Sequence, residues 1–148
     1  MIEWLNARQM ESTHIRSVRI VVKPNHAEAS ATAAEISAWL EALGIAMIGE
    51  PIPADAIKPE NELTLDADLI VVLGGDGTMI STARIVGDQD VLVLGVNYGS
   101  LGYLTDFRIE EMFPALESII SGKYEIDRRE MLTAEHWRGD ERLVTGRV

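Results

Sequence analysis

The chain has 148 residues, no cysteine, 47 % hydrophobic residues and a formal net charge of −11. That length holds one globular domain with a core of its own, and the missing cysteines exclude a disulfide scaffold, a thiolate zinc site and a cysteine nucleophile. The acidic balance opposes a non-specific nucleic-acid binder, and no apolar run approaches the ~20 residues of a bilayer span, so the chain reads as a soluble, cytoplasmic protein with no membrane contact.

Residues 1–17 are polar and weakly patterned, and read as an N-terminal extension. Residues 18–23, Val-Arg-Ile-Val-Val-Lys, predict a strand that Pro24 stops. Asn25 then offers a side-chain cap, with Glu28 three residues on as in a capping box. Ala29, Ala33, Ile36, Leu40 and Leu43 follow as one apolar stripe, with Trp39 packing beside it and Gly44 as the stop. Residues 45–48 predict a short strand, and residues 50–61, with Pro51, Pro53 and Pro59, a surface loop. Residues 69–73 are apolar throughout, as suits a parallel strand covered on both faces; Asp66 and Asp68 before them read as solvated. A helix is expected to start after Asp76 or Gly77 and to end near Gly87, burying Met79, Ile80, Ala83 and Val86. Residues 91–95 predict another apolar strand. Residues 110–121 predict a helix with Met112, Phe113, Leu116, Ile119 and Ile120 inward, Glu110, Glu111 and Pro114 in its first turn, and Gly122 as its stop.

This alternation implies an α/β fold: an open, mostly parallel, Rossmann-like sheet with flanking helices. The tail departs from it. Residues 124–129, 131–137 and 142–148 read as short alternating strands, with a hairpin turn at Gly139-Asp140. The expected organisation is therefore an extension (1–17), an α/β domain (18–122) and the first strands of an incomplete all-β domain (123–148); the glycine-rich motif at 74–78 makes 18–122 a nucleotide-binding domain.

The segment that carries chemistry is Gly74-Gly75-Asp76-Gly77-Thr78, directly after one apolar strand and directly before a helix. Ligands of open α/β sheets bind beyond the carboxyl ends of the strands. There, backbone N–H groups freed of side chains can cradle phosphate oxygens at the positive end of a helix dipole. The lone carboxylate of Asp76 could accept a proton, contact a sugar hydroxyl, hold a metal or simply cap the helix. The next strand runs into Asn97-Tyr98-Gly99-Ser100-Leu101-Gly102-Tyr103-Leu104-Thr105-Asp106, a second glycine-rich loop expected at the same sheet edge. Asn97 offers an amide there. Tyr98 and Tyr103 offer flat faces for a base or sugar, or else pack ordinarily. His14, His26 and His136 share no metal-ligand spacing. Arg128 and Arg129 could reach a phosphate, but suit a solvated pair on a strand edge.

These two motifs, in this order and separation, together with Gly122-Lys123-Tyr124 and Arg128-Arg129-Glu130-Met131-Leu132, closely resemble the NAD kinase family, over about residues 18–148. The first motif alone is shared in related forms by diacylglycerol and sphingosine kinases and phosphofructokinases, and the second singles out NAD kinase. The resemblance implies phosphorylation of the 2′-hydroxyl of the adenosine ribose of NAD, giving NADP, with ATP or polyphosphate as donor and a divalent metal. It also implies that Asp76 is the proton acceptor, that Asp76 and Gly77 contact NAD, and that the turn of Gly74, Gly75 and Thr78 faces the donor phosphates. Asn97 and Tyr103 join the expected binding set. Family members are commonly dimers or tetramers. The family continues, just past the position of Val148, into an Asn-Glu or Asn-Asp motif and an all-β domain. This chain alone is thus expected to bind NAD weakly and to turn over little or none. The alternatives are a lipid kinase domain of the diacylglycerol or sphingosine type and a non-catalytic nucleotide-binding fragment.

Overall fold

The computed structural model describes residues 14–56, 67–87, 89–100, 102–105 and 107–147. The apolar runs form the expected parallel sheet. Strands β1 (Ser17–Val22), β2 (Ala46–Met47), β3 (Ile52–Pro53), β4 (Leu69–Gly74), β5 (Leu92–Asn97) and β6 (Phe107–Arg108) pair in the order β2-β1-β4-β5-β6, with β3 also on β1. All these pairings are parallel. β2 and β3 share one edge of β1: Ser17 pairs with Ala46 at one end, and Val21 with Ile52 further along. The proline-rich segment after residue 50 therefore contains a short strand and a 3-10 turn (Ala54–Ala56) where only loop was expected, because the apolar Ile52 can still dock on an open edge.

Helices α1 (Ala27–Ala42), α2 (Asp76–Val86) and α3 (Met112–Ile120) cover the sheet on both faces. Because strand side chains alternate, Val18, Ile20 and Val22 of β1 pack with Ala29, Ala33, Ile36 and Leu40 of α1 and Met112, Ala115 and Leu116 of α3. Val21, Ile70 and Val72 point the other way, into a smaller cluster with Val86 of α2. β4 is buried along its whole length, as a central parallel strand with helices on both sides must be. Trp39 packs edge-on to Phe113 at a centroid distance of 5.4 Å, joining α1 to α3.

Several local expectations change. Asn25 does not cap α1: it sits in the left-handed region at φ 53°, as a turn residue after Pro24. The cap moves one residue on, to His26, whose Nδ1 accepts the N–H of Ala29 at 3.1 Å. α1 ends as expected, with Gly44 at φ 77°. On α2 the buried residues are Thr78, Thr82 and Val86, while Ile80 is exposed and Met79 and Ala83 half-buried. Small threonines let the helix ride close to the sheet, and Thr82 satisfies its buried hydroxyl by donating to the carbonyl of Thr78 at 2.9 Å. Ile109–Glu111 is a 3-10 turn rather than the start of α3, and the Glu111 carboxylate accepts the N–H of Arg108 at 2.9 Å.

Asp68 is not a merely solvated residue. It accepts from the N–H of Arg16 at 2.8 Å, the N–H of Ser17 at 3.0 Å and the Ser17 hydroxyl at 3.1 Å, pinning the start of β1 beside that of β4. Burial works to raise its pKa, but these bonds outweigh it and hold the carboxyl below the usual value. Asp66, and residues 57–61 of the expected loop, lie outside the described residues, as does most of the extension.

Beyond α3, residues 124–129 form no strand and run as irregular chain. β7 (Thr133–Arg138) and β8 (Glu141–Arg147) form an antiparallel hairpin whose turn holds Gly139 at φ 59°. β7 is exposed throughout, and Trp137, Leu132 and Val144 show 52 %, 69 % and 59 % of their surface.

Candidate functional site

The register of the sheet brings the two glycine-rich segments together. Gly74, the last residue of β4, pairs with Asn97, the last of β5, so both following loops leave one sheet edge side by side. Gly74 must be small: a Cβ there would run into the hydroxyl of Thr78 and lie 2.7 Å from its Cβ. Gly75 is the N-cap of α2 and supplies no side chain, so the first-turn N–H groups of α2 are not capped by any side chain. That leaves donors at the positive end of the helix facing the edge where a ligand would sit. Gly77 is exposed, with nothing within 4 Å of a notional Cβ.

Asp76 is the first residue of α2, not its cap. Its carboxylate reaches the second loop and accepts the N–H of Tyr103 at 2.9 Å and the N–H of Leu104 at 3.1 Å, with the Thr105 hydroxyl at 3.5 Å. The bonds from Tyr103 and Leu104 stabilise the charged form and hold the carboxyl below its ordinary value, against a small opposing effect of burial. Gly102 makes this approach possible, because any Cβ there would overlap the Asp76 carboxylate.

Asn97 is occupied with its own loop. Its Nδ2 donates to the carbonyl of Ser100 at 2.7 Å and the hydroxyl of Thr105 at 3.2 Å, and its Oδ1 accepts the N–H of Gly99 at 3.0 Å. Of the two tyrosines, Tyr98 packs: its ring lies 4.9 Å from that of His26 and its hydroxyl donates to the carbonyl of Glu28 at 3.4 Å. Burial pushes that hydroxyl's pKa up. Tyr103 is 93 % exposed. Leu101 and Asp106 lie outside the described residues.

Sequence reasoning missed three participants. Thr105, 2 % exposed, stands between Asn97 and Asp76. The amide of Leu104 is a backbone donor, which no residue type announces. Arg129, expected as a solvated strand-edge residue, donates to the Asp127 carboxylate at 2.8 Å and to the carbonyl of Tyr103 at 3.0 Å. Among the described residues no group of three or more His, Cys, Asp or Glu could hold a metal, and no helix is long and apolar enough to cross a membrane.

A parallel α/β sheet, two glycine-rich turns at one carboxyl edge and the Asp76 carboxylate between them define an α/β protein of the nucleotide-handling class. The model of the ATP-NAD kinase N-terminal domain matches residues 18–124, and the chain belongs to the NAD kinase family. It is 39 % identical over 140 residues to the NAD kinase of Geobacter sulfurreducens, covering 90 % of this chain and 49 % of that protein. It is 42 % identical over 130 residues to the NAD kinase of Geotalea daltonii, covering 84 % and 46 %. Yeast NADH kinase, solved in complex with NADH, shares the fold with a TM-score of 0.67 at 21 % identity, over 90 % of this chain and 46 % of that one. The chain thus spans about half the length of the curated relatives it matches.

Proposed function

We propose that this chain is the nucleotide-facing half of a cytoplasmic NAD kinase that transfers a phosphoryl group to the adenosine-ribose 2′-hydroxyl of NAD, with ATP or polyphosphate as donor. The observation that carries the reading is Asp76, an ionised carboxylate between two glycine-rich turns at one sheet edge. A carboxylate has about four lone-pair positions, so Asp76 can hold the loop amides and still accept a bond from a sugar hydroxyl. As the new P–O bond forms and the donor's bridging P–O bond breaks to release ADP or a shortened polyphosphate, that hydroxyl proton passes to Asp76. The amides lower its basicity, so its contribution is aim more than driving force, as suits phosphoryl transfer.

Gly74, Gly75 and the first-turn amides of α2 face the donor phosphates, and Gly77 lies against NAD. The Tyr103 ring supplies a stacking face. Asn97 acts by shaping its loop. The divalent cation would enter with the donor as MgATP, held mainly by substrate phosphates.

We read residues 18–122 as the nucleotide-facing domain and residues 123–148 as the opening of a β unit. In support, β7 and β8 pair with each other, and the hairpin exposes Trp137 and Val144. This chain by itself is expected to bind NAD weakly and to turn over little, and the longer protein to be a homo-oligomer.

The test is NADP formation from NAD and MgATP or polyphosphate, by this chain and by a protein extended to the length of its relatives. Binding of both nucleotides by the chain, with turnover only in the extended protein, supports the reading. An extended protein that phosphorylates a lipid and not NAD overturns it.

A further inference from the structure

The segment after α3 returns to the glycine-rich edge through one side chain. Arg129 donates from Nη1 to the carbonyl oxygen of Tyr103 at 3.0 Å and from Nε to Oδ2 of Asp127 at 2.8 Å. The N–H of Tyr103 in turn donates to Oδ2 of Asp76 at 2.9 Å. The backbone of Tyr103 is therefore held on both sides, by a carboxylate at its N–H and by a guanidinium at its C=O. Its ring, 93 % exposed, does little to fix it. A guanidinium suits this task because its donors form a rigid fork: Asp127 aims one arm, which directs another at the carbonyl.

We propose that Arg129 is a positioning residue that sets, through the backbone of Tyr103, the loop amides holding the Asp76 carboxylate. It links the stretch leading into β7 to the carboxylate at the sheet edge. Any consequence for phosphoryl transfer rests on the proposed role of Asp76, whereas the positioning itself does not.

Amide exchange and carboxyl titration by NMR on the full chain test it. Arg129→Ala is expected to speed exchange at Tyr103 and Leu104 about three- to tenfold, the effect of losing one exposed charge-assisted hydrogen bond. Exchange at Val71 and Thr82, inside β4 and α2, should change less than about twofold, and Asp76 should titrate at a higher pH. Arg129→Lys keeps a donor for the carbonyl and should recover much of the protection, which a merely structural loss would not. Unchanged exchange at Tyr103 and Leu104, or an Asp76 titration that stays in place, overturns the proposal. Should Arg129→Ala also expose Val71, Asp127→Ala decides: it removes only the aiming contact, and must speed exchange at Tyr103 and Leu104 selectively or the proposal fails. NADP formation is followed in parallel. A missing kinase activity would count against the proposed function and leave the exchange result standing.

Discussion

The carboxylate of Asp76 accepts the backbone N–H of Tyr103 at 2.9 Å across 27 residues of sequence. This bond ties the first turn of α2 to the loop after β5, so the two glycine-rich motifs form one unit. With the bond from Leu104 it holds the Asp76 carboxyl below its ordinary value.

Replacing Asp76 tests both of its roles. Asp76→Asn removes the charge and turns an amide N–H₂ toward backbone donors. In a protein extended to the length of its relatives, kcat for NADP should fall by about 10²- to 10⁴-fold, the range for loss of a positioned proton acceptor. Far-UV circular dichroism and the urea midpoint should stay close to those of the parent. Near-normal turnover in this variant would rule out Asp76 as the proton acceptor.

Gly102 explains how closely the loop can approach. In Gly102→Ala the new Cβ and the Asp76 carboxylate cannot both keep their places. Tyr103 and Leu104 should lose amide protection, and the Asp76 titration should rise toward the ordinary carboxylate value of 3.8. Carbon-detected titration reads this directly, and an unmoved Asp76 titration would show that the loop adapts without releasing it.

Asp68 governs a separate, structural pH dependence. Its folded-state pKa lies below 3.8, so its contribution is complete above that value and fades as the pH falls through the lower, folded-state value. Asp68→Ala should cost about 1 kcal/mol at pH 7, a modest figure because the group is largely solvent-facing. The gap between variant and parent should narrow as the pH falls below 3.8 and through the lower, folded-state value. Urea unfolding across this range checks this, and a gap that widens on acidification would contradict the sign.

His26 caps α1 with a ring nitrogen. His26→Ala should cost about 1 kcal/mol, and His26→Asn should restore most of it, since asparagine is among the best caps. Equal losses in the two variants, measured by urea unfolding, would mean that the contact with Tyr98 matters and the cap does not.

Much of the sheet was legible because burial is written in local order. Residues 69–73 are apolar without interruption, and β4 is buried without interruption. Alternation failed where no pairing formed: residues 124–129 alternate well enough for a strand but pair with none of the described strands, and a strand is stable only when a neighbour takes its hydrogen bonds. α2 misled through a different cause. Its apolar residues Met79, Ile80 and Ala83 line an open groove of about 1130 Å³, while the threonines are buried against the sheet.

Residue order alone determined the parallel α/β architecture, the hairpin turn at Gly139-Asp140 and the two glycine-rich motifs. Those features depend on side-chain size, apolar period and glycine placement, all of which are local. Tertiary structure alone decided what the motif residues do to each other. The two shortest bonds to Asp76 come from backbone N–H groups, and Arg129 donates to a carboxylate and to a backbone carbonyl. Every residue but proline has that N–H and every residue has that carbonyl. Only the β4–β5 register and the bare Cα of Gly102 select which of them meet.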